Sequence, residues 1–152
     1  MLHSIRTTQL IKADLDTVWD FMSSPRNLSN ITPDYMGFQV LTELPDKMYQ
    51  GQIIEYYVSP VLNIPLHWVT EITHVKDKEY FVDEQRFGPY AFWHHQHFLK
   101  STPEGVEMND IVHYKLSLGP LGKIANALFV KGQLKEVFDY RYKKVEELFN
   151  QK

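Results

Sequence analysis

A long proline-free segment, residues 122–150, limits the folds that this chain can adopt. Its apolar side chains recur mainly at steps of three and four residues, which predicts one amphipathic helix of about 28 residues with Gly132 as an interruption. The segments before it are rich in β-branched and aromatic residues and are separated by short turns. A helix of this length that follows antiparallel strands must lay its apolar face on the sheet. We therefore expect an α+β fold in which a curved antiparallel sheet wraps around the helix, with a cavity between them.

The chain before this helix divides into seven predicted strands and two short helices. The first helix is expected to begin at Asp14 or Asp16, where an apolar pattern at helical spacing follows a capping residue. A second short helix is expected over Arg26–Asn30, after the break at Ser24-Pro25. The turns between the strands are short, so consecutive strands should pair antiparallel. The predicted strands are residues 3–11, 36–44, 50–59, 65–76, 79–87, 91–100 and 106–117.

Composition excludes several classes of protein. The 152 residues suit a single domain spanning 1–152. The absence of cysteine excludes a disulfide scaffold and a thiol nucleophile, and a formal charge of −3 argues against a nucleic-acid partner. No apolar run is long enough for a membrane span, and the N-terminus lacks a signal-peptide pattern, so we expect a cytoplasmic protein without stable membrane insertion. The nine Phe, nine Tyr and three Trp residues suit either a β-rich core or a lined pocket.

Alternation along the strand predicted at 106–117 reveals a carboxylate on its buried face. Five apolar residues of one parity are expected to face inward: Val106, Met108, Val112, Tyr114 and Leu116. Asp110 shares their parity. A buried carboxylate without partners is very costly, so Asp110 must be paired, hydrogen-bonded or protonated.

The neighbouring strand at 91–100 can supply the partners. The turn around 101–105 sets a register that places His97 opposite Asp110 or Met108, and His95 near Val112 or Asp110. Both histidines share a parity with Trp93 and Leu99, which we expect to face inward.

On the preceding strand, a turn at Gly88-Pro89 would bring Asp83 or Gln85 beside His95. The residues so far predicted to lie together as a polar cluster are Asp83, Gln85, His95, His97 and Asp110. The apolar side chains expected around them are Tyr56, Trp68, Trp93, Met108 and Tyr114.

Four interpretations of this cluster remain open. The imidazoles and carboxylates could satisfy one another and set the strand register, or they could orient the polar end of an otherwise apolar ligand. His95 or His97 could instead be a general base whose tautomer is held by Asp110. Finally, His95-x-His97 with Asp110 as a third ligand could hold a metal ion.

Nearly the whole chain resembles a known superfamily. It is similar to the SRPBCC (START/Bet v 1-like) proteins, and within them to the ligand-binding branch related to polyketide cyclase/dehydrase domains. The stretches that carry this resemblance are Val18-Trp19-Asp20-Phe21, Ser24-Pro25, Asn27-Leu28, Ile31-Thr32-Pro33, Met36-Gly37-Phe38, Ile64-Pro65-Leu66, Trp68, Phe81-Val82-Asp83-Glu84-Gln85, Gly88-Pro89-Tyr90, Trp93-His94-His95, His97, Met108, Asp110, Val112, Gly119-Pro120-Leu121-Gly122 and Phe138-Asp139-Tyr140-Arg141. The resemblance implies a helix-grip fold, and it implies functions that range over lipid binding, ring cyclisation, dehydration and partner docking.

These observations lead to one main function hypothesis and two alternatives. The main hypothesis is binding of a small hydrophobic or amphipathic molecule in the cavity, without a cofactor or a metal. The first alternative is a cyclase- or dehydratase-type enzyme with catalytic candidates His95, His97 and Asp110. The second is a module that docks a protein partner.

Overall fold

The computed structural model describes residues 1–59, 64–117 and 129–150 of the chain. One seven-stranded antiparallel sheet has the order β1-β7-β6-β5-β4-β3-β2. The strands are β1 (His3–Ile11), β2 (Gln39–Val40), β3 (Gln52–Val58), β4 (Leu66–Lys76), β5 (Tyr80–Phe87), β6 (Tyr90–Thr102) and β7 (Gly105–Leu116). The helices are α1 (Leu15–Met22), three short 3₁₀ turns (Pro25–Asn27, Ser29–Ile31 and Asp34–Met36) and α2 (Lys131–Val145), which continues into a π-helical turn (Glu146–Asn150). This arrangement confirms the predicted helix-grip fold.

The first helix begins where its sequence predicts. Asp14 is the N-cap of α1, and its carboxylate accepts hydrogen bonds from the Thr17 backbone N–H (2.8 Å) and hydroxyl (2.6 Å). These bonds satisfy a backbone donor that has no partner within the helix. The second short helix, predicted over Arg26–Asn30, is instead two consecutive 3₁₀ turns.

The strand predicted at 36–44 is much shorter than expected. Only Gln39–Val40 pair with β3. Met36 belongs to a 3₁₀ turn, and Gly37 adopts a left-handed backbone conformation with φ of 53°. The chain therefore turns at Gly37 and extends only briefly before it leaves the sheet.

The long C-terminal helix is present over the described part of its range. Its buried residues Leu134, Phe138 and Val145 face the sheet. The beginning of the predicted segment, residues 122–128, lies outside the described residues. None of the described helices is long and apolar enough to cross a membrane.

The register between β6 and β7 matches the prediction. His97 lies opposite Asp110 and His95 lies opposite Val112. The hairpin turn ends at Gly105, whose φ is 139° and where an added Cβ would lie 2.2 Å from the Ile11 carbonyl oxygen. Only glycine fits this close approach between the turn and β1, so the turn holds the register on which the polar cluster depends.

Candidate functional site

A cavity of about 320 Å³ lies between the sheet and α2. Aromatic rings form much of its wall. Tyr56 stacks on Trp68 with ring centroids 6.0 Å apart, and Trp68 meets Trp93 edge to face at 5.4 Å. The other aromatic side chains of the lining are Phe21, Phe38, Phe81, Tyr90 and Phe138. This volume is at the lower end of the range for ligand pockets, so the cavity suits a small molecule rather than a large lipid.

One end of the cavity is polar, and we call it the polar end. Asp83 from β5 and His95 and His97 from β6 line it. They meet there because the antiparallel register pairs Asp83 with His95 and pairs His97 with Asp110 of β7. His95, His97 and Asp110 are at most 5% exposed, whereas the Asp83 side chain keeps 19% of its surface accessible.

Each histidine at the polar end faces two carboxylates. His97 Nε2 lies 2.8 Å from Asp83 Oδ2, and His97 Nδ1 lies 2.7 Å from Asp110 Oδ1. His95 Nδ1 lies 3.4 Å from Asp83 Oδ2, and His95 Nε2 lies 3.2 Å from Asp110 Oδ1. The imidazole ring centroids are 3.7 Å apart. The two rings therefore share both carboxylates.

A fifth ionisable side chain, Arg141 of α2, completes this network. One guanidinium nitrogen, Nη2, lies 3.9 Å from Asp110 Oδ1 and 3.3 Å from His97 Nδ1. Arg141 Nε is buried and has no hydrogen-bond partner in the described part of the chain. The side chain lines the cavity, so the guanidinium both balances a buried carboxylate and is available to a bound molecule.

The network shifts the pKa values of the two histidines in opposite directions. Burial lowers the pKa of His97, but Asp110 and Asp83 outweigh burial and raise that pKa above its ordinary value. Burial and the neighbouring charge of His97 lower the pKa of His95. Burial alone would raise the pKa of both carboxyls, but the imidazoles and Arg141 hold them below the ordinary value, Asp110 well below it. At a pH between the two histidine pKa values, His97 is charged and His95 is neutral, and with two carboxylates and one guanidinium the network then has no net charge.

Six of the residues predicted for the ligand site lie on the cavity wall. They are Tyr56, Trp68, Asp83, Trp93, His95 and His97. The opposite face of β6 carries His94, whose Nδ1 lies 2.6 Å from Glu84 Oε1. The inward parity of β6 was thus predicted correctly.

The other four predicted residues are not among those that line the cavity. The Gln85 amide closes the β5–β6 turn, since its Nε2 donates to the Tyr90 carbonyl (2.6 Å) and its Oε1 accepts from the Tyr90 N–H (3.1 Å). Met108 and Tyr114 are buried in core clusters, and Asp110 lies behind the histidines.

Sequence reasoning did not assign a role to Arg141, although a signal was available. Arg141 lies at helical spacing from Leu134, Phe138 and Val145, so it belongs to the buried face of α2. A charged residue on a buried face needs a partner of opposite charge. Asp110 is likewise a charged residue on a buried strand face, and the two residues supply each other with a partner of opposite charge.

Three side chains at the polar end could also hold a metal ion. One ligand atom from each of Asp83, His95 and His97 lies within 4.8 Å of the others. Asp110, which the sequence suggested as the third ligand, instead faces the other ring nitrogens.

Comparisons with known proteins support the fold. No protein-family model and no curated protein matches the chain. Many solved structures are similar to it. The aromatase/cyclase ZhuI from Streptomyces sp. R1128 is 12% identical with a TM-score of 0.74, and the match covers 95% of this chain and 92% of that one.

Two further structures show the same similarity. The protein TTHA0849 from Thermus thermophilus is 16% identical with a TM-score of 0.72, and the match covers 95% of each chain. Norcoclaurine synthase from Thalictrum flavum, solved as a point mutant with a transition-state analogue, is 17% identical with a TM-score of 0.66. That match covers 97% of this chain and 96% of the synthase. The chain therefore has the helix-grip fold of the SRPBCC (START/Bet v 1-like) proteins, as the sequence resemblance implied.

Proposed function

We propose that the protein binds a small, mainly apolar molecule with one polar end in the cavity between the sheet and α2. The observation that carries this proposal is the asymmetry of the cavity. Aromatic and aliphatic side chains form most of its wall, and ionisable groups are concentrated at the polar end. Pockets of this composition gain affinity from the apolar wall and orientation from a few placed polar groups.

Two groups at the cavity offer unused hydrogen-bonding capacity. Trp68 Nε1 and Arg141 Nε are buried donors without a hydrogen-bond partner among the described residues. An unpaired buried donor costs free energy, so a bound molecule that supplies an oxygen acceptor would relieve that cost. The expected ligand therefore combines an apolar body with at least one oxygen acceptor.

Tryptophan fluorescence provides a direct test. Trp68 and Trp93 line the cavity, whereas Trp19 of α1 is 2% exposed within a core cluster. Titration with the fluorescent probe 1-anilinonaphthalene-8-sulfonate should show energy transfer from tryptophan. Trp19→Phe should retain most of this transfer, and the double variant Trp68→Phe/Trp93→Phe should lose most of it.

A pair of variants on α2 shows whether the probe enters the cavity. Val137 lines the cavity, and its chain neighbour Glu136 is exposed. Val137→Phe should weaken probe binding at least tenfold, because the new ring occupies cavity space, and Glu136→Phe should leave affinity unchanged. Equal affinities in the two variants would place the probe elsewhere. Mass spectrometry of freshly purified protein under native and denaturing conditions would then show whether any molecule co-purifies, and failure of both tests would refute the proposal.

A proton-transfer enzyme of cyclase or dehydratase type is the second candidate. It is favoured by His95, a buried imidazole of lowered pKa that lines the cavity beside two carboxylates. A neutral imidazole can accept a proton from a bound substrate. ZhuI is an aromatase/cyclase and the Thalictrum protein is a norcoclaurine synthase, so two solved structures with this fold are enzymes.

Single substitutions separate binding from catalysis. If His97 only orients a ligand, His97→Ala should weaken binding modestly. If His97 or His95 transfers a proton, the corresponding alanine variant should lose about 10²-fold or more in turnover of a substrate. An unchanged turnover rate in both variants would exclude the catalytic role.

A further inference from the structure

The two histidines at the polar end present their nitrogens in two layers. His97 Nε2 and His95 Nδ1 converge on Asp83 Oδ2, at 2.8 and 3.4 Å. Their remaining nitrogens converge on Asp110 Oδ1, at 2.7 and 3.2 Å. Asp83 lines the cavity and Asp110 lies behind the rings. The inner layer thus consists of one carboxylate and two imidazole nitrogens beside open space.

The spacing of the inner layer fits a metal ion. Bonds from zinc to histidine nitrogen or carboxylate oxygen are about 2.0–2.2 Å long. Two ligands of one such ion are therefore roughly 3.0–3.5 Å apart in octahedral or tetrahedral geometry. The two distances from Asp83 to the histidines lie close to that interval. One ligand atom from each of the three residues lies within 4.8 Å of the other two.

The outer layer supplies the support that metal-binding histidines require. Such histidines almost always donate their second N–H to a carboxylate or carbonyl, which fixes the tautomer and the ring orientation. Here the second nitrogens of both rings face Asp110, and Arg141 balances that carboxylate from 3.9 Å.

The number of protons on the two rings shows what a cation at this place would displace. All four ring nitrogens face carboxylate oxygens, and a ring with a single proton can donate to only one of them. Protonating all four nitrogens would leave two like charges on rings whose centroids are 3.7 Å apart. With one charged and one neutral ring, a divalent ion bound to the inner layer would replace one proton, and each neutral ring would still donate its remaining N–H to Asp110.

We propose that Asp83, His95 and His97 form a metal-binding site at the polar end of the cavity. The site would hold one divalent first-row transition-metal ion such as Zn²⁺. The ion would keep open coordination positions toward the cavity, where it could bind an oxygen of a ligand. The site goes beyond the proposed ligand binding and does not depend on it.

Calorimetry with Zn²⁺ on the full chain, after dialysis against EDTA, tests the stoichiometry and the ligands. We expect one ion per chain, a loss of affinity of at least 100-fold in Asp83→Asn, and a loss of 10- to 100-fold in Asp110→Asn. His94→Gln is the matched control, because His94 lies on the outer face of β6 beside Glu84. A loss of Zn²⁺ affinity in His94→Gln equal to that in Asp83→Asn, or no binding in the wild type, would overturn the proposal.

A variant that gains an absorption band tests the site even if the other substitutions destabilise the fold. The chain contains no cysteine, so any thiolate-to-cobalt absorption must come from an introduced residue. Asp83→Cys should produce a near-ultraviolet thiolate-to-cobalt band when Co²⁺ is added, and Glu84→Cys, one residue along on the outer face, should not. A band in both variants or in neither would contradict the assigned ligand set. Probe binding in the cavity without Zn²⁺ binding would refute the metal site and leave the ligand proposal intact.

Discussion

Replacement of Asp110 by asparagine tests the charge balance of the buried network. The substitution keeps the shape of the side chain and removes its negative charge. His97 and Arg141 would then be buried cations with only Asp83 to balance them. At an effective dielectric constant of about 20, the attraction between Asp110 and Arg141 at 3.9 Å is about 4 kcal/mol. Removing one partner of a buried ion pair typically costs about 3–5 kcal/mol, and we expect Asp110→Asn to fall in that range.

Urea and thermal unfolding in the presence of EDTA would measure this cost without a contribution from metal. For a domain of this size, 1 kcal/mol corresponds to about 2–4 °C, so Tm should fall by about 10 °C. Asp139→Asn is the control, because Asp139 is an exposed member of an ion pair with Lys135 on α2. Its effect should stay within about 0.5 kcal/mol.

The difference between wild type and Asp110→Asn should also depend on pH. The pKa of Asp110 is lower in the folded chain than in the unfolded chain. Such a group contributes stability above its unfolded pKa and loses that contribution as pH falls through the folded pKa. The two proteins should therefore converge in stability in strong acid. A cost of less than about 1 kcal/mol at neutral pH, matching the Asp139 control, would refute the balanced network.

Three further substitutions test backbone fit and core packing. Gly105→Ala should destabilise the chain by at least about 3 kcal/mol in urea unfolding, because its Cβ would clash with the Ile11 carbonyl. Gly51→Ala, at a positive φ of 86° with open space around it, should cost only about 1 kcal/mol. Val145→Ala should cost about 2 kcal/mol without affecting probe binding, because Val145 is fully buried in a core cluster and does not line the cavity. Equal costs for the two glycines, or weaker probe binding in Val145→Ala, would contradict these explanations.

The inner face of β6 and β7 could be predicted because strand alternation has an exact period of two. Once the turn before Gly105 sets the register, the side chains of both strands are assigned to a face as far as the register shift between Tyr90 and Phe92. His95, His97 and Asp110 were placed together on this basis alone. The register also brings Asp83 to the same group, one strand further along the sheet.

The exceptions lie where alternation stops being informative. Gln85 has the parity of Asp83, but it is close to the end of β5, where its amide is used to close the turn onto Tyr90. The segment 36–44 has strand-forming composition, yet a 3₁₀ turn and the left-handed conformation at Gly37 delay the start of the strand, and only Gln39–Val40 form a ladder with β3. Local turn geometry decided both outcomes, and strand propensity does not encode it.

The role of Arg141 depends on a contact between α2 and β7 that no local pattern specifies. Helical spacing identifies Arg141 as a charged residue on a buried face, and strand alternation identifies Asp110 in the same way. Two such residues of opposite charge in one small domain are expected to pair, because burying either charge alone would be too costly. Pairing Arg141 with Asp110 predicts from the sequence that α2 packs over β7.

The same network can support the fold and present a site because its members differ in accessibility. Asp110 is enclosed behind the rings, so its charge serves to orient and balance them. Asp83 completes the network from the cavity side and keeps part of its surface accessible. A molecule or an ion that enters the cavity therefore meets Asp83 and the inner ring nitrogens first, while Asp110 and Arg141 hold those groups in place. The buried pair supports the arrangement, and the partly accessible Asp83 carboxylate is the group that would contact the proposed ligand or ion.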